Sequence, residues 1–276
     1  MGWHGRLALD YELDGGKTRS RSRHQGPMRV LASLYPEGPA ICHHILVHPP
    51  GGLVGGDVLE LDVRLATHSH AVLTTPGATR FYRSAGEEAV QQVSARLATG
   101  ARLEWLPMET ICHRSTRAAN RLRFDLEPGA EMIGWDTFAL GLPASGEPFD
   151  HGWFRQQIDL AGCWLERVVI DGADRRLLDG PLGWAGHSVL SSIWFSRGDP
   201  IDDDLRQRLL DSARDAAKRY GLSGVAGATA PNDRVVVLRV LSGRTEPATR
   251  LLAEVRAGWR QIAWSMAANP PRIWRT

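Results

Sequence analysis

The ten residues "HPPGGLVGGD", 48–57, contain four glycines and two prolines, a density common in loops that hold phosphate groups. The run "CHHILVH" (42–48) leads into them and "VLELDVRL" (58–65) follows, and both runs are typical of β-strands. A phosphate loop instead leads into a helix whose N-terminal amides face the anion, with a GxGxxG or Gly-Lys-Ser/Thr pattern. We therefore interpret the stretch as a bend between strands, where missing Cβ atoms permit close backbone approach and Asp57 closes the turn.

Short β-like runs continue from residue 6 to about residue 200. Several alternate apolar and polar residues, as half-buried strands do, and turns such as "DGG" (14–16) separate them. No helical pattern lies between these runs, which indicates a large antiparallel or coiled sheet assembly rather than βαβ units. The segments "THSHAVL" (67–73), "TGARLEWL" (99–106) and "EPGAEMIGW" (127–135) resemble one another at a spacing of roughly 30 residues, as stacked strand layers would.

The last third of the chain changes to a helical pattern. Residues 200–221 carry an apolar stripe, acids in the first turn, and Gly221 where a helix-ending glycine belongs. A second helical pattern opens with Thr245 as its N-cap and stops at Pro270. We predict a β-rich core over residues 1–200 and an α/β portion with two helices over residues 201–276, in the same structural domain.

Composition excludes several classes of protein. The 276 residues are 43% hydrophobic and 23% charged with a net charge of +2, so no strong field attracts nucleic acid or a membrane surface. The three cysteines are widely spaced, which is not the pattern of a disulfide framework. No basic stretch followed by an apolar one indicates a signal peptide, and no run of about 18 apolar residues indicates a transmembrane helix. We expect a cytoplasmic protein with no nucleic-acid or membrane partner.

Several motifs together resemble those of one known family. "HPPGGLVGGD" resembles the most characteristic motif of the UreD (UreH) urease accessory family, and further pieces follow the order of that family over about 190 residues. These pieces are "GGKTRSRSRHQGPMRV" (15–30), "YPEG" (35–38), "TTPGATRFYRS" (74–84), "LEWLPMETI" (103–111) and "SGEPF" (145–149). The chain departs from the family pattern at Pro76, Arg80 and Met108, where Gln, Lys and Gln are usual.

The resemblance implies a mainly β fold, a helically wound stack of sheets with two C-terminal α-helices packed on it. It also implies a maturation factor that assists nickel insertion into urease and is not itself an enzyme. Such a scaffold binds the apo-urease structural subunits, recruits UreF, and through UreF meets UreG, the GTPase that carries nickel. The family is associated with a polar tunnel that passes nickel transiently, and no cofactor is expected to bind tightly.

Acidic residues in strand or turn context are the candidates for lining such a conduit. A path for Ni²⁺ should offer carboxylates, carbonyls and water that hold the ion loosely, rather than a tight nitrogen and sulfur cage. A charged side chain among apolar residues is costly to bury unless it is paired, hydrated or visited by a cation. The candidates are Asp57, Glu104, Glu109, Asp136 and Glu147. The alternative is that each acid pairs with an arginine or caps a turn.

Ring nitrogens and thiols present a competing picture. Cys42, His44 and His48 share one face of a strand, and His68 and His70 share one face of another, with same-face neighbours about 6.6–7 Å apart. That spacing is workable for a surface metal site. No helical HxxxH pair or Cys/His finger spacing occurs, so a structural role is the alternative.

Two features could dock a partner. The last helix carries a stripe through Leu251, Val255, Trp259 and Ile262, which either packs on the sheet or remains open to a partner. The run "RSRSRH" places the guanidinium groups of Arg19, Arg21 and Arg23 on one strand face, either paired with carboxylates or free to meet an acidic surface.

An enzymatic function is the alternative from a different class. The sequence has no GxSxG elbow and no HExxH motif. A pair of carboxylates such as Glu104 and Glu109 could serve glycoside hydrolysis on a wound β scaffold. The second hypothesis is therefore a β-rich carbohydrate-active hydrolase.

Overall fold

The computed structural model describes residues 2–275 and is mainly β, as predicted. The first strands are β1 (His4–Asp14), β2 (Lys17–Gln25), β3 (Arg29–Val30), β4 (Ile41–Val47), β5 (Val58–Leu65), β6 (His70–Thr74), β7 (Thr79–Phe81), β8 (Ala89–Leu97) and β9 (Arg102–Leu106). The others are β10 (Thr110–Cys112), β11 (Thr116–Leu126), β12 (Glu131–Leu140), β13 (Gly152–Leu160), β14 (Trp164–Asp171), β15 (Val189–Arg197), β16 (Ala226–Asn232) and β17 (Val235–Ser242). The helices are α1 (Arg175–Asp179), α2 (Asp203–Arg219) and α3 (Thr245–Trp264).

The strands form two sheets between which the chain passes back and forth. The seven-stranded sheet has the order β14-β13-β11-β8-β5-β1-β2. The ten-stranded sheet follows β16-β17-β15-β12-β9-β6-β4-β3; β10 also pairs with β12, and β7 pairs with β10. Neighbours β5, β8, β11 and β13 are parallel, as are β4, β6, β9 and β12. The prediction of a helically wound stack is therefore confirmed, and its central strands are parallel rather than antiparallel.

The three similar turns of the sequence lie one above another in this stack. His70, Arg102 and Glu131, which open β6, β9 and β12, occupy the same register position. The turns before them pass through the left-handed region at His68 (φ 59°), Gly100 (φ 71°) and Gly129 (φ 79°). A Cβ added at Gly100 would collide with the His68 ring, so this position requires glycine for both its φ angle and its close contact. The spacing of roughly 30 residues is thus one coil of the stack.

The glycine-rich loop links β4 to β5 and leads into a strand, not a helix. Asp57 closes it, because its carboxylate accepts hydrogen bonds from the backbone N–H groups of Val54 at 2.9 Å and Trp3 at 3.1 Å. A Cβ added at Gly52 would collide with the Tyr82 ring, and one added at Gly55 would collide with Ser84. The glycines therefore allow close approach of the neighbouring chain, as the sequence predicts.

Two hydrophobic cores result from this arrangement. One lies between the inner faces of the two sheets, and the other lies between the outer face of the ten-stranded sheet and helices α2 and α3. Gly221 has a φ of 70° in the C′ position, after the C-cap Tyr220 of α2, as predicted. Thr245 is the first helical residue of α3 rather than its N-cap, and the helix stops at Trp264, well before Pro270. Within residues 2–275, none of the helices has the length and apolarity needed to span a bilayer.

Candidate functional site

Three side-chain amides form a row across the interior of the seven-stranded sheet. Gln91 on β8, Asn120 on β11 and Gln156 on β13 occupy matching positions on adjacent parallel strands. The Gln91 side-chain amide donates to Asn120 Oδ1 at 3.1 Å. Residues two apart on these strands, such as Val93 and Leu122, are buried and apolar, so the amides interrupt an otherwise hydrophobic face. We call these three residues the amide row.

Asp136 meets the amide row from the opposite sheet. It lies on β12, and its Oδ2 accepts a hydrogen bond from Gln156 Nε2 at 2.6 Å, which joins the inner faces of the two sheets. Its side chain is buried, and it forms no ion pair within residues 2–275. Burial, and then the charge of Glu166, raises the pKa of Asp136 to about 7. The carboxyl group therefore keeps its proton to a much higher pH than an ordinary aspartic acid does.

One further oxygen atom at this point is unsatisfied. Gln156 Oε1 is buried and accepts no hydrogen bond from the residues that the structure describes. An orphaned buried acceptor beside an uncompensated carboxyl is unfavourable in a closed protein interior. Together the two groups present oxygen donors without a cationic partner, which is the chemistry that a transiently held divalent cation requires.

Polar groups continue beyond both ends of the amide row. Gln91 lines a cavity of about 310 Å³ next to the glycine-rich loop, shared with His48, Arg80 and Trp105. His48 Nε2 and Trp105 Nε1 are buried there without a hydrogen-bond partner among residues 2–275. On the far side of Asp136, Glu166 on β14 accepts a hydrogen bond from Arg239 Nε at 2.9 Å and is partly exposed. Polar groups thus continue from the amide row toward a cavity beside the glycine-rich loop and toward a partly exposed carboxylate on the edge strand β14.

Glu104 lies in a different environment, on the helix-covered face of the ten-stranded sheet. Its side chain is 0% exposed, and its oxygens meet Arg256 Nε at 2.6 Å, His70 Nε2 at 3.2 Å and Arg260 Nη1 at 3.5 Å. Burial alone would raise the pKa of Glu104, but Arg256, with His70 and Arg260, lowers it to about 2. An enclosed carboxylate of such low pKa has no access to a saccharide and no proton to donate as a general acid.

The ion pairs around Glu104 continue to the loop before β4. Arg260 also binds both carboxylate oxygens of Glu37, and Glu37 Oε1 lies 2.9 Å from His43 Nε2. Burial opposes ionisation of Glu37, but the hydrogen bonds from His43 and Arg260 lower its pKa overall. This network fastens α3 to strands β4, β6 and β9.

The structure does not bring the five predicted acids together. Asp136 is the one that faces the amide row, Glu104 is held by arginines, and Asp57 caps its loop. Glu109 lines a surface cavity of about 650 Å³ near the start of α3. Glu147 is exposed and borders another surface cavity, of about 660 Å³, beside the partly buried ring of His113.

Sequence reasoning missed the amide row, although a signal was present. In "AVQQVSARL", "TRAANRLRF" and "FRQQIDL", an amide residue stands at the parity of the buried apolar positions. A polar residue repeated at the inward parity of three neighbouring strands indicates a buried polar line. The sequence does not show that β8, β11 and β13 are neighbours, because their pairing depends on how the sheet winds.

The five predicted histidine and cysteine positions do not form one site: His44 and Cys42 lie among hydroxyl groups, His70 binds an acid, and His48 packs against Trp3. His44 Nδ1 lies 2.6 Å from the Tyr11 hydroxyl, and its Nε2 lies 2.9 Å from Ser33 Oγ and 3.9 Å from Cys42 Sγ. Burial, followed by the nearby His43, lowers the pKa of His44 to about 4. His70 belongs to the Glu104 network instead. Across residues 2–275, no three His, Cys, Asp or Glu side chains are grouped to hold a metal ion.

The residues expected to dock a partner on the last helix are mostly inside the protein. Leu251, Val255 and Trp259 are 0% exposed, and Trp259 Nε1 donates to the carbonyl of Leu209 on α2 at 2.9 Å. Ile262 is half-buried. The stripe therefore packs α3 against α2 and the sheet, and in this conformation its three buried members have no surface for a partner to contact.

The arginines of β2 also have partners within the chain. Arg19, Arg21 and Arg23 form ion pairs with Asp14, Glu12 and Asp10 of the adjacent strand β1. Each pair is solvent-exposed and contributes little to stability. The alternating arginine run is thus matched by an alternating acidic run on its neighbour.

The fold and the amide row define a wound β-sheet scaffold in which polar groups cross an apolar interior. The family model described as "UreD urease accessory protein" matches residues 4–275. The chain is 57% identical to the urease accessory protein UreD of Leptothrix cholodnii and 54% identical to that of Variovorax paradoxus, each over the full length of both chains. The chain therefore belongs to the UreD family of urease accessory proteins.

Proposed function

We propose that this protein delivers nickel to apo-urease as a scaffold and conduit in the cytoplasm, together with UreF and the GTPase UreG. Nickel is the cargo in this proposal and is held only transiently. Membership of the urease accessory family supports the proposal, and the position of Asp136 carries it. The protein positions and passes the ion without catalysing a reaction, and nucleotide hydrolysis belongs to UreG.

The protonation of Asp136 supports a role in passing a cation. A buried carboxylate without a counter-ion is unfavourable, so the group binds a proton near neutral pH. A divalent cation that arrives can replace this proton and gain oxygen ligands from Asp136 and the free Gln156 Oε1. Within residues 2–275 the site offers few ligands and no cluster of thiol or imidazole groups, so the ion is also released readily.

Glu109 and Glu147 have a secondary place in the proposal. Both stand at surface cavities where a carboxylate can receive or release a hydrated cation. Asp57 and Glu104 contribute to the fold instead, because backbone amides or guanidinium groups occupy their oxygens. The internal path thus depends on Asp136 more than on the other four acids.

The test compares Asp136→Asn with Asp62→Asn, which removes an exposed carboxylate of β5 that has no ion pair among residues 2–275. Each variant is co-expressed with urease and the other accessory proteins, and nickel per urease active site is measured after purification. We expect Asp136→Asn to lower the nickel content several-fold while UreF still co-purifies, and Asp62→Asn to leave it unchanged. Normal nickel loading by an assembled Asp136→Asn complex would overturn the conduit.

A further inference from the structure

The ends of the two sheets differ in how their edge strands are protected. An unprotected edge exposes backbone N–H and C=O groups that can pair with another chain, and proteins blunt such edges with charge, proline, bulges or short length. Strand β2 carries three exposed arginines, β16 contains Pro231 and a register shift, and β3 has two residues. The fourth end, β14, is eight residues long, contains no proline and pairs with β13 without a register shift, so charge is its one protecting device.

The outward face of β14 carries two apolar residues, Leu165 and Val169, and two charged ones, Arg167 and Asp171. Leu165 is 49% exposed and Val169 is 56% exposed, and both rank among the most exposed large hydrophobic residues of the described chain. Arg167 stands between them on the same face and forms no ion pair within residues 2–275. The opposite face of the strand is fixed, since Ile170 is 0% exposed and Trp164 packs against Trp194.

The backbone of the same residues points away from the sheet. Gly172 N–H donates to the Gly152 carbonyl at 2.9 Å, which makes this a hydrogen-bonded pair of the β13–β14 ladder. Because such pairs alternate in antiparallel ladders, the N–H and C=O groups of Leu165, Arg167 and Val169 face the free edge. The side chains of these three residues and their backbone N–H and C=O groups are therefore all open to contact by another chain.

We propose that β14 is a docking edge for an extended segment of a partner protein, which adds to the seven-stranded sheet as an eighth strand. Backbone hydrogen bonds provide the affinity in this mode, and alternate side chains provide the specificity. Charge complementarity identifies the segment as one with an acidic residue opposite Arg167 and apolar residues opposite Leu165 and Val169. The proposal does not rest on nickel delivery.

The probe is a synthetic peptide, fluorescein-Lys-Val-Thr-Glu-Thr-Val-Lys-amide, which carries the dye at its N-terminus and is titrated with the full chain by fluorescence anisotropy. Its Val, Glu and Val side chains share one face in a strand. We expect Val169→Pro, which removes an outward N–H, and Arg167→Glu to weaken binding at least tenfold. Ser22→Pro on the protected edge β2 is the matched control and should bind as wild type does.

Two further measurements make the result decisive. The same peptide with a central Lys in place of Glu should bind Arg167→Glu more tightly than it binds wild type, which loss of fold cannot produce. Val169→Lys, which blunts the edge without proline, should reproduce the loss if Val169→Pro misfolds. Equal binding by wild type and both Val169 variants would overturn the proposal. A dimer of wild type that Val169→Lys abolishes would do so too, by assigning the edge to a second copy.

Discussion

Glu104 on β9 accepts a hydrogen bond from Arg256 on α3 at 2.6 Å, across 152 positions of the chain. Both side chains are almost fully excluded from solvent, at 0% and 2% exposure. Arg260 and His70 complete the surroundings of the carboxylate. The pair therefore fixes the position of the last long helix on the wound sheet. Removing the Glu104 carboxylate leaves the buried guanidinium of Arg256 without a counter-ion.

The first prediction concerns that pair. Glu104→Gln should lower the free energy of unfolding by about 3–5 kcal/mol, because breaking one side of a buried ion pair leaves the other side uncompensated. Urea denaturation at pH 7 measures the change. Asp150→Asn, in the exposed pair with Arg114, is the control and should leave the midpoint in place.

The stability of the protein at low pH should report on the same ion pair. The pKa of Glu104 is about 2 in the folded protein against an ordinary value of 4.5, so its stabilisation is present above pH 4.5 and is lost as the pH falls toward 2. Glu104→Gln should therefore flatten the decline of stability across this window. A decline as steep as that of wild type would show that other carboxyls dominate acid unfolding.

A second prediction concerns Asp136, whose contribution to folding stability changes with pH in the opposite direction. Its pKa is about 7 in the folded protein against an ordinary value of 3.8, so the folded state retains a proton that the unfolded chain releases. Its contribution to stability is greatest below about pH 4 and is lost as the pH rises to 7. Asp136→Asn should accordingly be more stable than wild type at pH 8, by up to about 4 kcal/mol, and the difference should shrink toward pH 4.

Unfolding free energies measured between pH 5 and pH 8 test this sign. Asp62→Asn, at an exposed carboxyl of β5, should keep the slope of wild type. If Asp136→Asn also kept that slope, the carboxyl group would be ionised throughout and the account of its protonation would fail.

A third prediction separates backbone strain from close packing in the stacked turns. Gly100 and Gly146 have nearly equal φ angles of 71° and 72°, but only Gly100 lies against another side chain, the ring of His68. Alanine at Gly146 should lower stability by about 1–2 kcal/mol, the penalty of the left-handed conformation. Alanine at Gly100 should lower it by a further 1–3 kcal/mol or so, because the added methyl group must displace the ring. Thermal denaturation of both variants measures these losses of stability. Equal losses for the two variants would contradict the prediction.

Alternation and helical stripes are local signals, so they could predict the mainly β class and the two long helices. The wound stack is an expectation from the family resemblance, because the local pattern leaves an antiparallel or a coiled sheet open. Sequence alone could not separate Glu104 from Asp136, because each is an acid next to a tryptophan in a strand. The register decides: Glu104 lies beside Ile133, and Trp105 lies beside Gly134. Asp136 consequently shares the inner face, and Glu104 faces the helices.

The amide row illustrates the same limit. Each of Gln91, Asn120 and Gln156 occupies an inward position of its own strand, which is a local pattern. Their union into one line depends on parallel pairing between strands about 30 residues apart. The partners of Glu104 are more distant still, because Arg256 sits on a helix that no strand pattern connects to β9.

The separation of Glu104 from Arg256 also has a consequence for protein synthesis. At translation rates of roughly 5–20 residues per second, the ribosome produces β9 about 8–30 s before it produces α3. Throughout that interval the growing coils present a bare apolar flank and an unneutralised carboxylate to the surrounding solution. The nascent chain therefore leaves this apolar flank uncovered until its final helix emerges, and slower elongation would lengthen that period.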